Sequence, residues 1–260
     1  MKKYDWKDLT FLIPLRIDTI ERIENLQMAV GYLLNHAKTN IIILEAYERQ
    51  TGVIPKLFKS NQVEYHYIED PDPIFHATKH RNSLTKLATT PYVAIWDSDV
   101  IISPKQIDES LKILKGEKIK FMIPYDGRFF DTGINARKIF LKTGDIKDLE
   151  TRTEEMNMLY GTFACGGGVM VNRETYMANG MENEYMYGWG LEDGERVRRW
   201  EILGYSTLRV IGPLFHLSHP RGFNSSYTSQ KHVTNTIKEY LKITSMMPEQ
   251  LRAEVAEWGK

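Results

Sequence analysis

Cysteine is nearly missing: Cys165 is the only one in 260 residues, which excludes a disulfide framework and any cysteine-built zinc cluster. Net charge is missing too. Lysine plus arginine and aspartate plus glutamate number 34 each, so no overall field draws the chain to nucleic acid or to a charged surface. No apolar run approaches the length of a membrane span, and the longer ones, such as "NIIILEAY" from Asn40, fall far short. The start, "MKKYDWKDLTFLIPLR", is basic, but Asp5 and Asp8 interrupt it and no small-residue cleavage site follows. No signal peptide is expected, and the location expected is the cytoplasm. Neither a repeat nor a low-complexity linker divides the chain, so one domain is expected over 1–260.

What is present is an alternation of strand and helix patterns. "LTFLIPLR" reads as a strand, and Ile20, Ile23, Leu26, Val30 and Leu33 recur at three- and four-residue steps as a helical stripe starting near Ile17. "NIIILEAY" has no wet face, as in the middle of a parallel sheet. "VEYHYIED", Tyr92 to Trp96 and "IKFMIPYD" read as further strands; Ala77 to Ala88 and "SPKQIDESLKILKGE" read as helices, the latter with a serine cap and proline at its first position. This alternation predicts a layered α/β sheet with ligands at the carboxyl ends of its strands, where Arg16, Glu45, Asp70 and Asp97 lie. From Asp131 to Leu159 the chain is polar and helix-prone, an expected surface excursion. "CGGGVMVNRETY" reads as a strand, "GLEDGERVRRWEILGY" as a helix closed by Gly204, "STLRVIGPLFHLSH" as one strand run, and 229 onward as amphipathic helix.

Four stretches carry chemistry. In "PYVAIWDSDVII" two acids follow a greasy strand, and residues two apart on an extended backbone face one side. Asp97 and Asp99 therefore suit a hard divalent ion, Mg²⁺ or Mn²⁺, although a solvated turn would carry the same pair. In "FHLSHP", His216 or His219 would tilt such a site toward Mn²⁺; either alone is more simply an ordinary hydrogen-bonded histidine. In "YGWGLEDGE", glycines flank Trp189, leaving its indole free to stack on a sugar ring. Glu192 and Asp193 open the next helix, where the positive helix end favours carboxylates; a buried tryptophan beside a helix cap is the plainer account. In "CGGGVMV", Gly166 to Gly168 leave room for a ligand near the backbone, or form a tight turn.

In this order the motifs resemble the GT-A glycosyltransferases, most closely the β-1,4-galactosyltransferase group and its bacterial relatives. The resembling residues are Asp97-Ser98-Asp99, Gly167-Gly168-Val169, Gly188-Trp189-Gly190-Leu191-Glu192-Asp193, and His216 or His219, within a stretch from about Leu12 to Arg221. The resemblance implies a single GT-A (Rossmann-like) domain, its mixed, mostly parallel sheet flanked by helices and followed by a helical C-terminal tail. It divides the chain into a nucleotide-sugar half (1–130), an acceptor and catalytic half (131–228) and the tail (229–260). It further implies Mn²⁺-dependent transfer from a UDP-sugar to a carbohydrate or glycolipid hydroxyl, with Mg²⁺ as the alternative ion. Asp99 and a histidine would hold the ion, with Asp97 on the ribose and metal-bound water. Asp193 would be the general base, with Glu192 beside it and Trp189 on the acceptor. "IPLRIDTIERIENL" implicates Pro14 and Arg16 in donor binding. "FHATKHRN" matches at Phe75, Lys79 and Asn82, with Ala77 where the family has arginine. Glu45, Gly167 and Gly168 complete the expected donor contacts. Leu191 and Gly194 also depart from the family pattern on the acceptor side.

An acid at 193 favours inversion over retention. Peripheral association with the inner face of a membrane is compatible with a glycolipid acceptor, and no nucleic-acid partner is expected. The oligomeric state and the identity of the sugar are not encoded in these motifs. Two other readings stand beside the transferase: a non-catalytic relative that binds sugar nucleotides, and a haloacid-dehalogenase-type phosphatase. The second prefers its acid pair near the chain start and a Thr or Val where this chain has Ile101. A nucleotidyltransferase would carry a glycine-rich, lysine-bearing loop after its first strand, and "IPLRIDTIER" has no glycine.

Overall fold

The computed structural model describes residues 3–258, so the first two positions of the expected domain and the last two of its tail lie outside the described residues. β1 (Tyr4–Leu15) begins earlier than its apolar pattern suggested, because Trp6 is buried against the core. α1 (Ile20–His36) starts later than expected: Thr19 is extended, and its hydroxyl accepts the Arg22 N–H as the cap. The expected stripe of Leu26, Val30 and Leu33 is buried.

β2 (Ala37–Tyr47), α2 (Ile54–Leu57), β3 (Val63–Glu69), α3 (Ala77–Leu87) and β4 (Tyr92–Trp96) continue the alternation. β5 (Val100–Ile102) leads to α4 (Pro104–Lys115), which begins at the expected proline although the Ser103 side chain makes no cap hydrogen bond. After β6 (Phe121–Ile123) and β7 (Phe129–Asp131), the polar excursion folds into α5 (Gly133–Thr143), α6 (Lys147–Glu150), a 3₁₀ turn at Thr153–Glu155 and β8 (Asn157–Leu159). β9 (Gly168–Asn172), α7 (Arg173–Ala178), α8 (Glu192–Ile202), β10 (Thr207–Arg209) and β11 (Leu214–His216) follow. A 3₁₀ turn at Phe223–Ser225 then precedes α9 (Gln230–Thr244) and α10 (Pro248–Val255).

Seven strands form the main sheet in the order β10-β6-β9-β4-β1-β2-β3. Only β9 runs antiparallel, against both β4 and β6, so the sheet is mixed and mostly parallel, as expected. Its central strands are apolar on both faces because helices cover both. β4 is buried along its whole length, and Trp96 meets Phe11 edge-on at 5.1 Å. Burying each such side chain is worth roughly 1.5–3 kcal/mol.

A second sheet, β5-β11-β7-β8, was not anticipated. The stretch "STLRVIGPLFHLSH" is not one strand: it breaks at Gly212, and β10 joins the main sheet while β11 joins the second. The tail helices α9 and α10 lie against α8, where Leu203, Ile243, Leu251 and Val255 form a small core of their own. Among the described residues, no helix is long and apolar enough to cross a membrane.

Candidate active site

The carboxyl ends of β1 and β4, the entry to β9, the head of α8 and the segment after β11 open on one cavity of about 510 Å³. Backbone hydrogen bonds fix this rim. The Asp97 N–H donates to Gly167 O at 2.9 Å, and the Leu217 N–H donates to Asp99 O at 2.8 Å. The second of these carries His216 and His219 to the acid loop.

Asp99, His216 and His219 present ligand atoms all within 4.8 Å of one another. Both rings aim Nε2 at Asp99 Oδ2, from 3.6 Å for His216 and 3.2 Å for His219. Each Nδ1 is occupied by another oxygen: Asp131 Oδ1 at 3.0 Å from His216, and Pro220 O at 2.9 Å from His219. With the ring proton held at Nδ1, each Nε2 offers a lone pair toward a carboxylate. Acceptors converge there, so the position suits a cation. Burial pushes the Asp99 carboxyl up, but the rings in their protonated form outweigh it and bring it down to about 2; a proton on Nε2 and a cation between the rings serve Asp99 in the same way. This donor set, two nitrogens and a carboxylate, fits Mn²⁺ and its transition-metal neighbours better than Mg²⁺. Asp97 stands apart from the trio, its Oδ1 3.3 Å from an Arg81 nitrogen.

At the head of α8 the two acids differ. Glu192 is buried and accepts the Gly190 N–H at 2.8 Å. Burial, then the neighbouring Asp193 charge, raise its carboxyl to about 7. Burial also pushes Asp193 up, but Arg196 at 2.6 Å and Arg81 at 3.4 Å overcome it and hold the carboxyl below its ordinary value. Arg196 in turn pairs with buried Glu182 at 2.6 Å, so Asp193 is fixed from beneath by a chain of alternating charges. The glycines at the entry to β9 make room for protein groups: a Cβ on Gly166 would fall 2.1 Å from Asp193 Oδ2, and one on Gly168 would fall 3.0 Å from Trp96. Trp189 lines the cavity half-buried, edge-on to Tyr227 at 5.3 Å, rather than standing clear of the loop.

Several expected donor contacts lie elsewhere. Pro14, Arg16 and Gly167 line the cavity. The Arg16 guanidinium, however, is engaged by Ala46 O, Asp72 O, Pro73 O and Asp70, and it lies between the Tyr47 and Phe75 rings. Glu45 is fully buried, accepting from the Tyr65 hydroxyl and the Thr51 N–H. Lys79 points to solvent, because the turn of α3 that faces the cavity carries Ala77 and Arg81. Asn82 is buried and ties α3 to the 182–184 loop through Glu182 and Glu184. Gly168 packs on Trp96 and is not part of the lining.

The structure also brings in residues that sequence reasoning missed. Arg81 is buried between Asp97, Asp193 and Glu182. Arg22 and Arg221 line the wall near the trio, and Tyr227 enters from the segment before α9. The signal for Arg81 was available: it is one helical turn past Ala77, on the same face.

Residues 149–220 match the family model described as the N-terminal domain of galactosyltransferase. The chain resembles galactosyltransferases. The galactosyltransferase-like segment contains the β9 entry, the Trp189 loop, Glu192, Asp193 and both histidines. Among solved structures, the catalytic domain of Drosophila β-1,4-galactosyltransferase 7, in complex with xylobiose, aligns at 16% identity and a TM-score of 0.45, over 79% of this chain. The chain spans 64% of the length of that structure, and a likeness so distant says nothing about substrate. No curated protein matches in sequence.

Proposed function

We propose that the chain is a metal-dependent glycosyltransferase that moves a hexose or N-acetylhexosamine from a UDP-sugar to a carbohydrate or glycolipid hydroxyl, with inversion. The observation that carries this reading is the meeting, in one cavity, of a cation-seeking trio and an ionised carboxylate at a helix head. Asp99, His216 and His219 would hold Mn²⁺, which when bound supplies a Lewis acid for the departing diphosphate. Arg22, braced by Asp18 at 2.8 Å, and Arg221 would take phosphate oxygens. Asp97 would face the ribose hydroxyls.

Trp189 would stack on the acceptor. Glu192, near half-protonated at neutral pH, can donate a hydrogen bond to an acceptor hydroxyl or accept one. Asp193 takes the proton of the attacking hydroxyl; that oxygen bonds to the anomeric carbon as the bond to the diphosphate breaks and UDP leaves. Attack opposite the leaving group inverts the centre, and no protein nucleophile is needed.

One observation favours the second reading, a binder without turnover: two arginines on Asp193 weaken it as a base. UDP release from a panel of UDP-sugars, with Mn²⁺ or with chelator, separates the two. Mn²⁺-dependent release that vanishes in Asp99→Ala supports the transferase, and tight binding without release supports the binder. If no UDP-sugar shifts the melting temperature, both are wrong.

A further inference from the structure

We propose that Asp131 is a positioning residue that turns His216 toward the ion site. The inference rests on reading Asp99, His216 and His219 as the ion's ligands, and concerns what makes His216 fit for that task. β7 and β11 pair in parallel with Asp131 in register with His216, so the two side chains sit on adjacent strands facing one way.

Asp131 Oδ1 receives the His216 Nδ1–H at 3.0 Å and the Ser218 hydroxyl at 2.8 Å. The same corner is closed by two more hydrogen bonds: the Thr132 N–H donates to His216 O at 3.0 Å, and the Ser218 N–H donates to Thr132 Oγ1 at 3.1 Å.

A neutral imidazole carries one ring proton, and the nitrogen that keeps it cannot bind a metal. By accepting that proton's hydrogen bond, Asp131 assigns it to Nδ1 and leaves Nε2 as the free lone pair facing Asp99. A carboxylate behind the ring also raises the electron density that the ring offers to an ion. His219 is held differently, by the backbone oxygen of the adjacent Pro220. His216 is thus the strand-borne, oriented ligand and His219 the loop-borne one. Nothing in "FFDTG" flags this role by sequence, because Asp131 acts only across the β7–β11 pairing.

Mn²⁺ affinity is to be measured by calorimetry in wild type, Asp131→Ala, His216→Ala and the double variant, with melting curves to confirm folding. Nitrogen NMR of the histidine rings reports the tautomer independently of activity. Asp131→Ala should weaken Mn²⁺ binding by about 10–100-fold, the double variant should bind no more weakly than His216→Ala alone, and His216 should lose its fixed Nδ1–H form.

If Asp131→Ala binds Mn²⁺ like wild type while His216→Ala does not, Asp131 has no such role and the ion site stands. Losses that add in the double variant would mean that Asp131 acts through the fold, which also overturns the proposal. If His216→Ala itself leaves Mn²⁺ binding intact, the ligand reading fails instead. Should Asp131→Ala not fold, Asp131→Leu, which keeps the bulk but cannot accept the ring proton, judged by the His216 tautomer and Mn²⁺ affinity, decides between the same outcomes.

Discussion

Glu192 and Asp193 are chain neighbours, yet their surroundings push their carboxyls in opposite directions. Asp193, held down chiefly by Arg196 and Arg81 against its burial, is ionised across the neutral range. Asp193→Asn should lower turnover by on the order of 10²–10⁴ if it takes the acceptor proton, with UDP affinity nearly unchanged. A variant with normal turnover removes it from that role. Glu192 stands above its ordinary value of 4.5, at about 7, so its contribution favours the folded state at acid pH and is lost as pH rises through 7. Glu192→Gln cannot titrate. Relative to wild type its melting temperature should climb between pH 5 and pH 9, by an amount equivalent to on the order of 1–3 kcal/mol; parallel curves would show that Glu192 is not shifted. These two acids, Asp99 and the histidines could be nominated from residue types and order alone. Arg81 was marked only by its place one turn past Ala77, and Asp131 not at all, because an acid at a strand end has meaning only through what the fold sets opposite it.

The loop that carries Trp189 rests on the segment leading into α9. Gly190 has φ +115°, and a Cβ there would fall 2.6 Å from the Tyr227 hydroxyl. Gly190→Ala should therefore cost about 1–3 kcal/mol in backbone strain and raise the acceptor KM more than the donor KM. Adding Tyr227→Ala, which removes the ring carbons as well as the hydroxyl, should recover the part due to the clash and leave the part due to φ; unchanged acceptor kinetics in Gly190→Ala would detach this loop from acceptor binding. Elements with long apolar patterns or strong punctuation, such as β2, β4 and α4, were legible in sequence. The second sheet was not, since β5, β7, β8 and β11 are each three residues long, too short for a period to show. The same brevity hid the break between β10 and β11.

On the scale of the molecule, the layered sheet followed from the alternation of patterns, while its strand order did not, because pairing depends on contacts far apart in sequence. The trio at the ion site draws Asp99 from the first half of the chain and His216 and His219 from the second. An ion bound there is bound only by the folded chain, so Mn²⁺ should stabilise it by about 2.7 kcal/mol once free Mn²⁺ reaches about a hundred times Kd. Thermal melts with and without Mn²⁺ check this: Asp99→Ala should show no gain, and an equal gain in that variant would place the ion elsewhere. The position of β9 has a further consequence. It is made late but lies between β4 and β6, which are made early. Until the ribosome has delivered it, the nascent chain holds β4 with one bare edge and β6 with neither neighbour, since β10 is made later still, and these edges can pair with any passing strand. Aggregation during synthesis is thus a hazard of the topology itself, and one that ends only when two short late strands, β9 and then β10, slide home.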